Sequence, residues 1–353
     1  MLENPGTPFP LISRRFLPFC LESLYKSIRI SSGPHPAGFL DFPHDPSNLA
    51  LIEELDIHAS DFVRNPDETE EQDKLVTFLE SLTNLRKLVL KGSIHLCQSF
   101  IRLSHPFALQ LEELHFHVTD PPQFESPHRF PAIFLNHLAS YPKLTHLALL
   151  HISVLIESTL PHSLPPLRLA ALKSLKLGGT FNRMPNYEGL LNRCSPTEFI
   201  LIGECEEDDW SPHAIAAMLD AIRRPQLVKK LILDTCGTIS PSEFETSIVR
   251  FTSLEEVSFE GRACNFAREL YQSLAALPLR HITFGPDTHV SWWCIRDYLL
   301  IPREDQTLRT LEINHLSAKR GNPTKADDSW GTLSSRRRIA RSYWNGLKSW
   351  ELR

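Results

Sequence analysis

One short phrase of apolar residues recurs along this chain, and it constrains the fold more than any other feature. The phrase is apolar-x-x-apolar-x-apolar, and Leu85-Leu88-Leu90 and Leu144-Leu147-Leu149 are clear copies of it. The middle positions of its ten copies are residues 55, 88, 114, 147, 175, 199, 231, 257, 282 and 311. Successive copies are therefore 24 to 33 residues apart. A phrase that returns at roughly this interval predicts a stack of similar structural units.

The spacing within the phrase predicts a strand. Its last two apolar positions are separated by one residue, which is the periodicity of a strand with one buried face. So short a strand buries that face only when similar strands lie beside it. A fixed phrase at this interval is the signature of a leucine-rich repeat. We therefore predict an α/β leucine-rich repeat solenoid, an irregular arc of about ten strand-helix repeats with a parallel sheet on its concave face.

Helical periodicity separates several of the predicted strands. Two segments carry apolar residues at i, i+3, i+4 and i+7, namely Leu75, Phe78, Leu79 and Leu82, and Ile215, Met218, Leu219 and Ile222. Two shorter stripes are Phe244, Ile248 and Phe251, and Phe266, Leu270 and Leu274. The segments near 211 and 240 open with Ser-Pro, which suits an N-cap followed by the first helical position. Because parallel strands need a crossover, we expect these helices to connect them.

Composition defines the class of molecule. Hydrophobic residues make up 42% of the 353, which supports a sizeable core. The sequence holds no run of 18 apolar residues, so we expect no membrane partner, and a net charge of −5 gives no reason to expect nucleic acid. The seven cysteines are scattered without a C-x-x-C pair, and no signal peptide is visible. We therefore expect a reducing, cytoplasmic or nuclear location.

The composition also changes along the chain, and we divide it into four parts. Residues 1–30 are an N-terminal segment, 31–48 a connector rich in Pro, Gly, Ser and His, 49–316 the repeats, and 317–353 a basic C-terminal tail or cap. The tail contains the run 336–338 of three arginines. A nuclear-import signal and a capping or unstructured tail are both open interpretations of this run.

The sequence carries no catalytic motif that we recognise. It contains no H-E-x-x-H, G-x-S-x-G, P-loop or dinucleotide fingerprint. His115 and His117 alternate on one predicted strand, but a metal would need a third ligand from another repeat. Cys194 and Cys205 have no neighbouring base and are expected to be inert thiols, and the acidic run 206–209 lacks the spacing of a calcium loop. We therefore predict no enzymatic activity, no cofactor and no metal site.

The residues between the apolar positions predict a binding surface. They point away from the core, and they are mostly polar except near the middle of the array, where they are aliphatic. An apolar centre with a polar rim is typical of a protein-binding surface. We therefore predict that the concave face binds a protein target through Leu150, Ile200, Ile202, Ile232, Lys176 and Lys230. The alternatives are that a long loop covers this patch or that the irregular sixth strand turns its residues inward.

The N-terminal segment resembles part of a known family. Residues 12–20 read ISRRFLPFC, and 24–28 read LYKSI. Followed by the repeats, they resemble the closing helix and exit of an F-box in fungal F-box/leucine-rich-repeat proteins. The resemblance implies a non-catalytic substrate-recognition subunit of a cullin-RING (SCF-type) ubiquitin ligase, with residues 8–30 contacting the adaptor. The adaptor-binding residues that it implies are Phe16, Leu17, Phe19 and Leu24.

An F-box normally opens with a Leu-Pro-x-Glu type start and a further helix, and neither has a counterpart in this sequence. Residues 8–30 are therefore also interpretable as an N-terminal cap that covers the first apolar edge of the solenoid, since any repeat array needs one, and the two interpretations are compatible. Two functions follow as alternatives. One is a ubiquitin-ligase substrate-recognition subunit, and the other is a plain leucine-rich repeat scaffold with no ubiquitin-ligase coupling.

Overall fold

The computed structural model of this protein describes a set of separate segments of the chain. These are residues 17–31, 45–59, 68–92, 97, 100, 106–119, 129–130, 137–138, 140–154, 169, 171–178, 188–191, 194–203, 212–234, 241–260, 268–285, 288, 298–300, 308–313 and 337–340. The chain divides into two compact units, Met1–Leu172 and Lys173–Arg353. The domain boundaries that composition suggested remain a prediction.

The first unit contains a sheet of five parallel strands. Its strands, in spatial and chain order, are β1 (Ser27–Ser31), β2 (Glu54–Ala59), β3 (Lys87–Gly92), β4 (Glu113–Val118) and β6 (His146–Leu150). Two short strands, β5 (Arg129–Phe130) and β7 (Ser153–Val154), pair separately in parallel. The helices are α1 (Leu17–Tyr25), α2 (Pro46–Leu49) and α3 (Glu68–Ser81), with a 3-10 helix at Pro106–Leu109.

The apolar phrase sets the register of this sheet. Its middle position forms one buried row across the four strands that the phrase predicted, Leu55, Leu88, Leu114 and Leu147. Its last position forms a second buried row, Ile57, Leu90, Phe116 and Leu149. Strand β1 adds Ile28 and Ile30 to the ends of these rows. Equivalent residues therefore lie side by side, as the alternation predicts.

The second unit contains six parallel strands. They are β8 (Ser174–Gly178), β9 (Glu198–Ile202), β10 (Lys230–Asp234), β11 (Glu256–Phe259), β12 (His281–Phe284) and β13 (Thr310–Ile313). A seventh strand, β14 (Arg337–Ala340), pairs antiparallel with β13. The helices are α4 (Glu188–Leu191), α5 (Pro212–Asp220), α6 (Pro241–Ile248) and α7 (Arg268–Ala275), with a 3-10 helix at Pro225–Leu227.

The core of the second unit lies between one face of the sheet and the helices. The middle position of the phrase again forms one buried row, Leu175, Phe199, Leu231, Val257, Ile282 and Leu311. On the helix side, Phe244 of α6 places its ring 6.3 Å from the ring of Phe259 on β11, edge to face. The ring of Phe284 stacks on Phe259 from the next strand at 5.6 Å. The helices therefore cover the apolar face of the strands and leave the other face to solvent.

One hydrogen-bonding arrangement recurs where successive strands begin. The carbonyl of Thr197 accepts from the backbone N–H groups of Lys229 and Lys230, at 2.7 and 3.1 Å. The carbonyl of Lys229 accepts in the same way from Glu255 and Glu256, at 2.8 and 2.9 Å. One carbonyl thus accepts from the first amide of the following strand and from the amide just before it, which holds neighbouring strands in the same register.

The predicted strands and the coarser fold class are confirmed. All ten predicted strands form, those that are neighbours within one unit are parallel to each other, and the class is α/β. The four predicted helical stripes coincide with α3, α5, α6 and α7, although Leu82, Ile222 and Phe251 lie just beyond the helix ends, where they are buried. Phe266 and the predicted N-caps Ser211 and Ser240 lie outside the described residues.

Candidate functional site

The solvent-facing side of the second unit's sheet carries a continuous row of side chains. The row runs Lys176, Ile200, Ile232, Ser258, Thr283 and Glu312 in register across β8 to β13. All six residues are partly exposed, whereas their chain neighbours Leu175, Phe199 and Leu231 are buried. The strand period of two therefore produces a core row and a surface row from adjacent residues.

Three isoleucines form an aliphatic patch within this face, which we call the isoleucine patch. Ile200 on β9 is the register partner of Ile232 on β10, and Ile202 lies two residues after Ile200 on the same face. All three are partly exposed. The sixth strand does not turn inward, because Phe199 and Leu201 fill the core positions of β9 and are fully buried.

A glycine makes the close approach of β8 and β9 possible beside this patch. Gly178 is the register partner of Ile202. A Cβ atom at Gly178 would lie 1.9 Å from the carbonyl oxygen of Ile202 and 2.9 Å from its Cβ. The two strands can pair at this separation only because position 178 has no side chain. On the β8 side, Ile202 consequently lies next to the backbone of Gly178, with no side chain at that position.

Ion pairs border the isoleucine patch along the first position of the strands. Lys230 on β10 lies between two acids, with Nζ 3.1 Å from Glu198 Oε1 on β9 and 3.8 Å from Glu256 Oε2 on β11. All three side chains are partly solvated, so each pair contributes little to stability. The two ion pairs hold the ammonium group of Lys230 at the border of the isoleucine patch. In the described part of the second unit, no carboxylate pairs with Lys176, the register partner of Ile200.

The structure brings together five of the six predicted binding residues. Ile200, Ile202, Ile232, Lys176 and Lys230 lie on one face of the second unit. The sixth, Leu150, ends β6 in the first unit and is partly exposed there.

The surroundings of Leu150 are rich in histidine. Its register partner on β4 is His117, whose ring stacks on that of His151 with centroids 5.0 Å apart. His151 has a φ of 60°, a backbone conformation that few non-glycine residues adopt. His115 and His117 are both partly exposed on the same face of β4, as their alternation predicted. Among the described residues, no group of three or more His, Cys, Asp or Glu side chains is arranged to hold a metal ion.

Cys194 is buried and chemically protected. Burial raises the pKa of its thiol to about 12, so the nucleophilic thiolate is scarcely populated at neutral pH. This is the environment expected of an inert thiol. Cys205 and the acidic run 206–209 lie outside the described residues.

The predicted adaptor-binding residues cluster around α1. Leu17 is its first residue, and Phe16 lies outside the described residues. Phe19 and Leu24 are 68% and 63% exposed, which makes them two of the most exposed large apolar side chains of the described chain. Helix α1 itself contacts β1 and α2. Its exposed apolar side chains are thus available for contact with another molecule.

Sequence reasoning placed Lys230 in the site but missed its acidic partners and the role of Gly178. Glu198 and Glu256 occupy the same phrase position as Lys230 on the strands to either side, so alignment of the copies could have found these pairs. The close approach at Gly178 left only a weaker signal, a glycine at the end of a predicted strand.

Comparisons with known proteins leave the chain without an assigned family. No family model matches this chain, and no curated protein matches it. Within the described residues, no helix combines the length and the apolar character that crossing a membrane requires.

Proposed function

We propose that this protein is a non-catalytic protein-protein interaction module, built as a leucine-rich repeat solenoid, whose second unit binds a protein target through the isoleucine patch. The observation that carries the proposal is the partly exposed trio Ile200, Ile202 and Ile232 on the face opposite the helices. The same residue types would contribute more to stability if they were buried, at about 25 cal/mol per Å² of apolar surface. A partner that covers these three isoleucines removes their apolar surface from water, and this burial favours the complex.

The solenoid architecture is supported by the equivalence of the strands. In each unit the same phrase positions align across every parallel pair that the phrase predicts. The carbonyls of Thr197 and Lys229 anchor their following strands identically. Stacked units of this kind expose residues at equivalent positions of successive strands, which produces an extended surface for a partner.

The charged residues around the isoleucine patch indicate which side chains the partner carries. A protein segment that places an aliphatic or aromatic side chain over Ile200 and Ile232 brings its flanking groups close to Lys176 and to the Lys230 ion pairs. An acidic residue next to the apolar anchor would pair with Lys176. The apolar centre supplies affinity, and the charged rim determines orientation.

The double substitution Ile200→Asp with Ile232→Asp tests the target-binding face. Both positions are partly exposed, so we expect a modest loss of stability and the loss of proteins that the wild-type chain captures by crosslinking. The control is Thr283→Asp, which introduces one aspartate in the same row, two strands away from Ile232, and is compared with Ile232→Asp alone as well as with the double variant. Retention of every captured protein by the double variant, at unchanged melting temperature, would rule out the patch.

We further propose that α1 couples this face to an SCF-type ubiquitin ligase, with a cytoplasmic or nuclear location. The support is the exposure of Phe19 and Leu24 on the helix that resembles the end of an F-box. Binding of the purified ligase adaptor, measured by calorimetry, tests this coupling. We expect Phe19→Asp with Leu24→Asp to abolish binding and Ser23→Asp, an exposed position on the same helix, to retain it. If the wild-type chain does not bind the adaptor, the plain leucine-rich repeat scaffold is the remaining proposal.

A further inference from the structure

The solvent-facing side of the first unit's sheet carries a row of nitrogen-bearing side chains near the carboxyl ends of its strands. His58 on β2 is the register partner of Lys91 on β3, and Lys91 is the register partner of His117 on β4. We call these three residues the basic row. The row continues on β6 with Leu150, and all four side chains are partly exposed. Because neighbouring strands lie about 4.8 Å apart, the basic row spans roughly 10 Å across the sheet.

A further imidazole lies against the end of the basic row. The ring of His151 stacks on that of His117, with centroids 5.0 Å apart and ring planes 6° apart. His151 directly follows β6 and is partly exposed. Protonation of both rings is disfavoured at this distance, because like charges repel each other. A carboxylate placed beside the pair would offset this repulsion.

Asp56 neutralises charge at the other end of the basic row. Its Oδ1 lies 2.9 Å from Nε2 of His58, and its Oδ2 lies 3.4 Å from Nε of Arg29 on β1. The guanidinium of Arg29 also contacts the His58 ring, with Nη2 3.3 Å from Nε2. One carboxylate thus serves two cationic partners, and His58 is already engaged within the chain.

The other acids on the strands of this face also have partners. Glu113 Oε2 lies 3.1 Å from Nζ of Lys87, and Glu54 Oε2 accepts from Ser27 Oγ at 3.2 Å. Within the described part of the first unit, by contrast, no carboxylate pairs with Lys91. The charge of Lys91 is therefore available to another molecule.

The charges around the stacked rings favour an acidic partner. The other charged or titratable residues on this face of β3, β4 and β6 are Lys87, Lys91, Glu113, His115 and His146. Glu113 is the one acid among them, and it lies four residues before His117 on the same strand. A nucleic acid needs a broad basic surface, whereas the basic row is one residue deep and the chain has a net charge of −5. A short acidic segment of a protein fits this surface better.

We propose that Lys91, His117, His151 and Leu150 bind an acidic segment of a partner protein. Its Asp or Glu side chains pair with Lys91 and the two imidazoles, and an apolar residue next to them packs on Leu150. Affinity increases as the pH falls, because histidine ordinarily gains its proton at about pH 6.5 whereas Asp and Glu remain ionised down to about pH 4. This inference is independent of the isoleucine patch, which belongs to the second unit.

The test uses the full chain and a labelled peptide of sequence GSEDEDLSG, with GSQNQNLSG as the neutral control peptide. We expect the neutral peptide to bind at least about tenfold more weakly than the acidic one. Lys91→Gln should weaken the acidic peptide about fourfold, since one exposed ion pair contributes little. Fluorescence anisotropy in 0.15 M salt measures these affinities. Equal binding of the two peptides, or no binding of the acidic one, would refute the proposal.

Lys87→Gln is the matched control for Lys91→Gln. It removes the same charge from the same strand, roughly 13 Å away, which exceeds the Debye length of about 8 Å at this salt concentration. We therefore expect Lys87→Gln to bind the acidic peptide within about twofold of the wild type. If both variants lost affinity equally, the attraction would come from the overall charge and not from this site.

The pH dependence tests the two imidazoles. We expect the wild type to bind the acidic peptide roughly tenfold more tightly at pH 5.5 than at pH 7.5. His117→Gln with His151→Asn should remove most of this gain and leave the affinity at pH 7.5 nearly unchanged. Asparagine is chosen because His151 has a φ of 60°, a conformation that asparagine tolerates. His146→Gln, at the start of β6, is the control and should keep the gain.

The melting temperature of each variant shows whether the fold is retained. If the double variant is destabilised, His117→Gln alone takes its place, since it leaves position 151 unchanged. A full pH gain in a folded variant that lacks His117 would contradict the proposed role of the stacked rings.

Competition experiments separate an acidic protein segment from polyanions in general. Replacing the leucine of the peptide by serine should weaken binding about threefold, and Leu150→Ser in the chain should remove this difference. A single-stranded polynucleotide with the same number of charges should compete poorly, because it has no side chain that suits Leu150. Equal competition by the polynucleotide would show that the surface attracts any polyanion, and the assignment of a protein partner would fail.

Discussion

At the scale of single residues, neighbouring positions of a strand have opposite environments. Leu175 on β8 is fully buried in the core row, and Lys176 is partly exposed in the surface row. The two positions share a strand, a backbone conformation and the neighbouring strand β9. They therefore make a matched pair in which only the face of the sheet differs.

The substitution Leu175→Asp tests this difference. It places an uncompensated charge in the apolar row and should lower the free energy of unfolding by about 3–5 kcal/mol. Lys176→Asp, one residue along, should change it by less than about 1 kcal/mol. Urea denaturation of both variants measures the two values. Equal losses would contradict the assignment of the two faces.

The cysteines provide a chemical probe of burial. Because burial raises the pKa of Cys194 to about 12, while the free thiol has its ordinary value in the unfolded chain, the neutral thiol is favoured by the folded state. This contribution to stability is fully present below the unfolded pKa and is lost as pH rises through the interval between the two values. The thiolate is the form that reacts with alkylating agents.

We therefore expect Cys194 to resist iodoacetamide in the native protein at pH 8. Cys20, on α1, is partly exposed and should be modified about a hundredfold faster. Peptide mass spectrometry after timed labelling gives both rates in one sample, and urea should equalise them. Fast native labelling of Cys194 would mean that its surroundings open readily.

At the scale of secondary-structure elements, helices of the second unit are joined by polar contacts at their ends. Arg250, just after α6, donates from Nη1 to the Asp220 carboxylate at 2.8 Å and to the Asp220 carbonyl at 3.1 Å. Its Nη2 donates to the carbonyl of Ile222 at 3.4 Å. The last carbonyls of a helix have no partner within it, so Arg250 satisfies the carbonyl of Asp220, the last residue of α5, and that of Ile222 just beyond the helix.

Replacing this arginine tests how much the contact contributes. Arg250→Ala should lower the free energy of unfolding by about 1 kcal/mol, since the side chain is partly exposed and solvent screens its charge. Arg250→Lys keeps the charge but loses the two-pronged geometry, and should recover only part of the loss. A double-mutant cycle with Asp220→Asn separates the carboxylate contact from the carbonyl contacts. No loss in Arg250→Ala would show that water replaces the arginine.

At the scale of the whole molecule, each sheet is a row of strands that depend on their neighbours. Leu231 on β10 lies between Phe199 and Val257, which are both buried. Leu311 on β13 occupies the same phrase position beside Ile282, with the four-residue strand β14 on its other side. The same residue type thus occurs in the middle of a stack and near its end.

Truncation of these two leucines should have unequal effects. Leu231→Ala creates a cavity between well-packed strands and should cost about 3–5 kcal/mol. Leu311→Ala should cost at least about 1 kcal/mol less, because the end of a stack can close around the lost volume more easily. Thermal and urea unfolding of the two variants give the comparison. Equal costs would indicate that the end of the sheet is packed as rigidly as its middle.

Much of the fold could be predicted because the relevant signal is local. The phrase around Leu88 or Leu231 contains the alternation of one strand, and its recurrence shows that equivalent strands exist. The isoleucine patch followed from the same alternation. Leu150 is also an aliphatic residue at an alternating position, so the sequence grouped it with the patch. It belongs to the first unit, however, and the phrase does not show the boundary between the units at Leu172.

The sequence by itself determined most of the buried positions of the strands, because alternation depends only on the backbone of each strand. Ala148 and Ser174 are exceptions, since they are buried at alternating positions that the pattern assigns to the solvent side. Only the tertiary structure decided which surface residues act together. Lys230 pairs with two acids because β9 and β11 lie on either side of it. Gly178 permits the pairing of β8 with β9 because a Cβ atom at this position would clash with the carbonyl oxygen of Ile202. Strand β14 lacks the phrase altogether, and only its pairing with β13 identifies residues 337–340 as a strand.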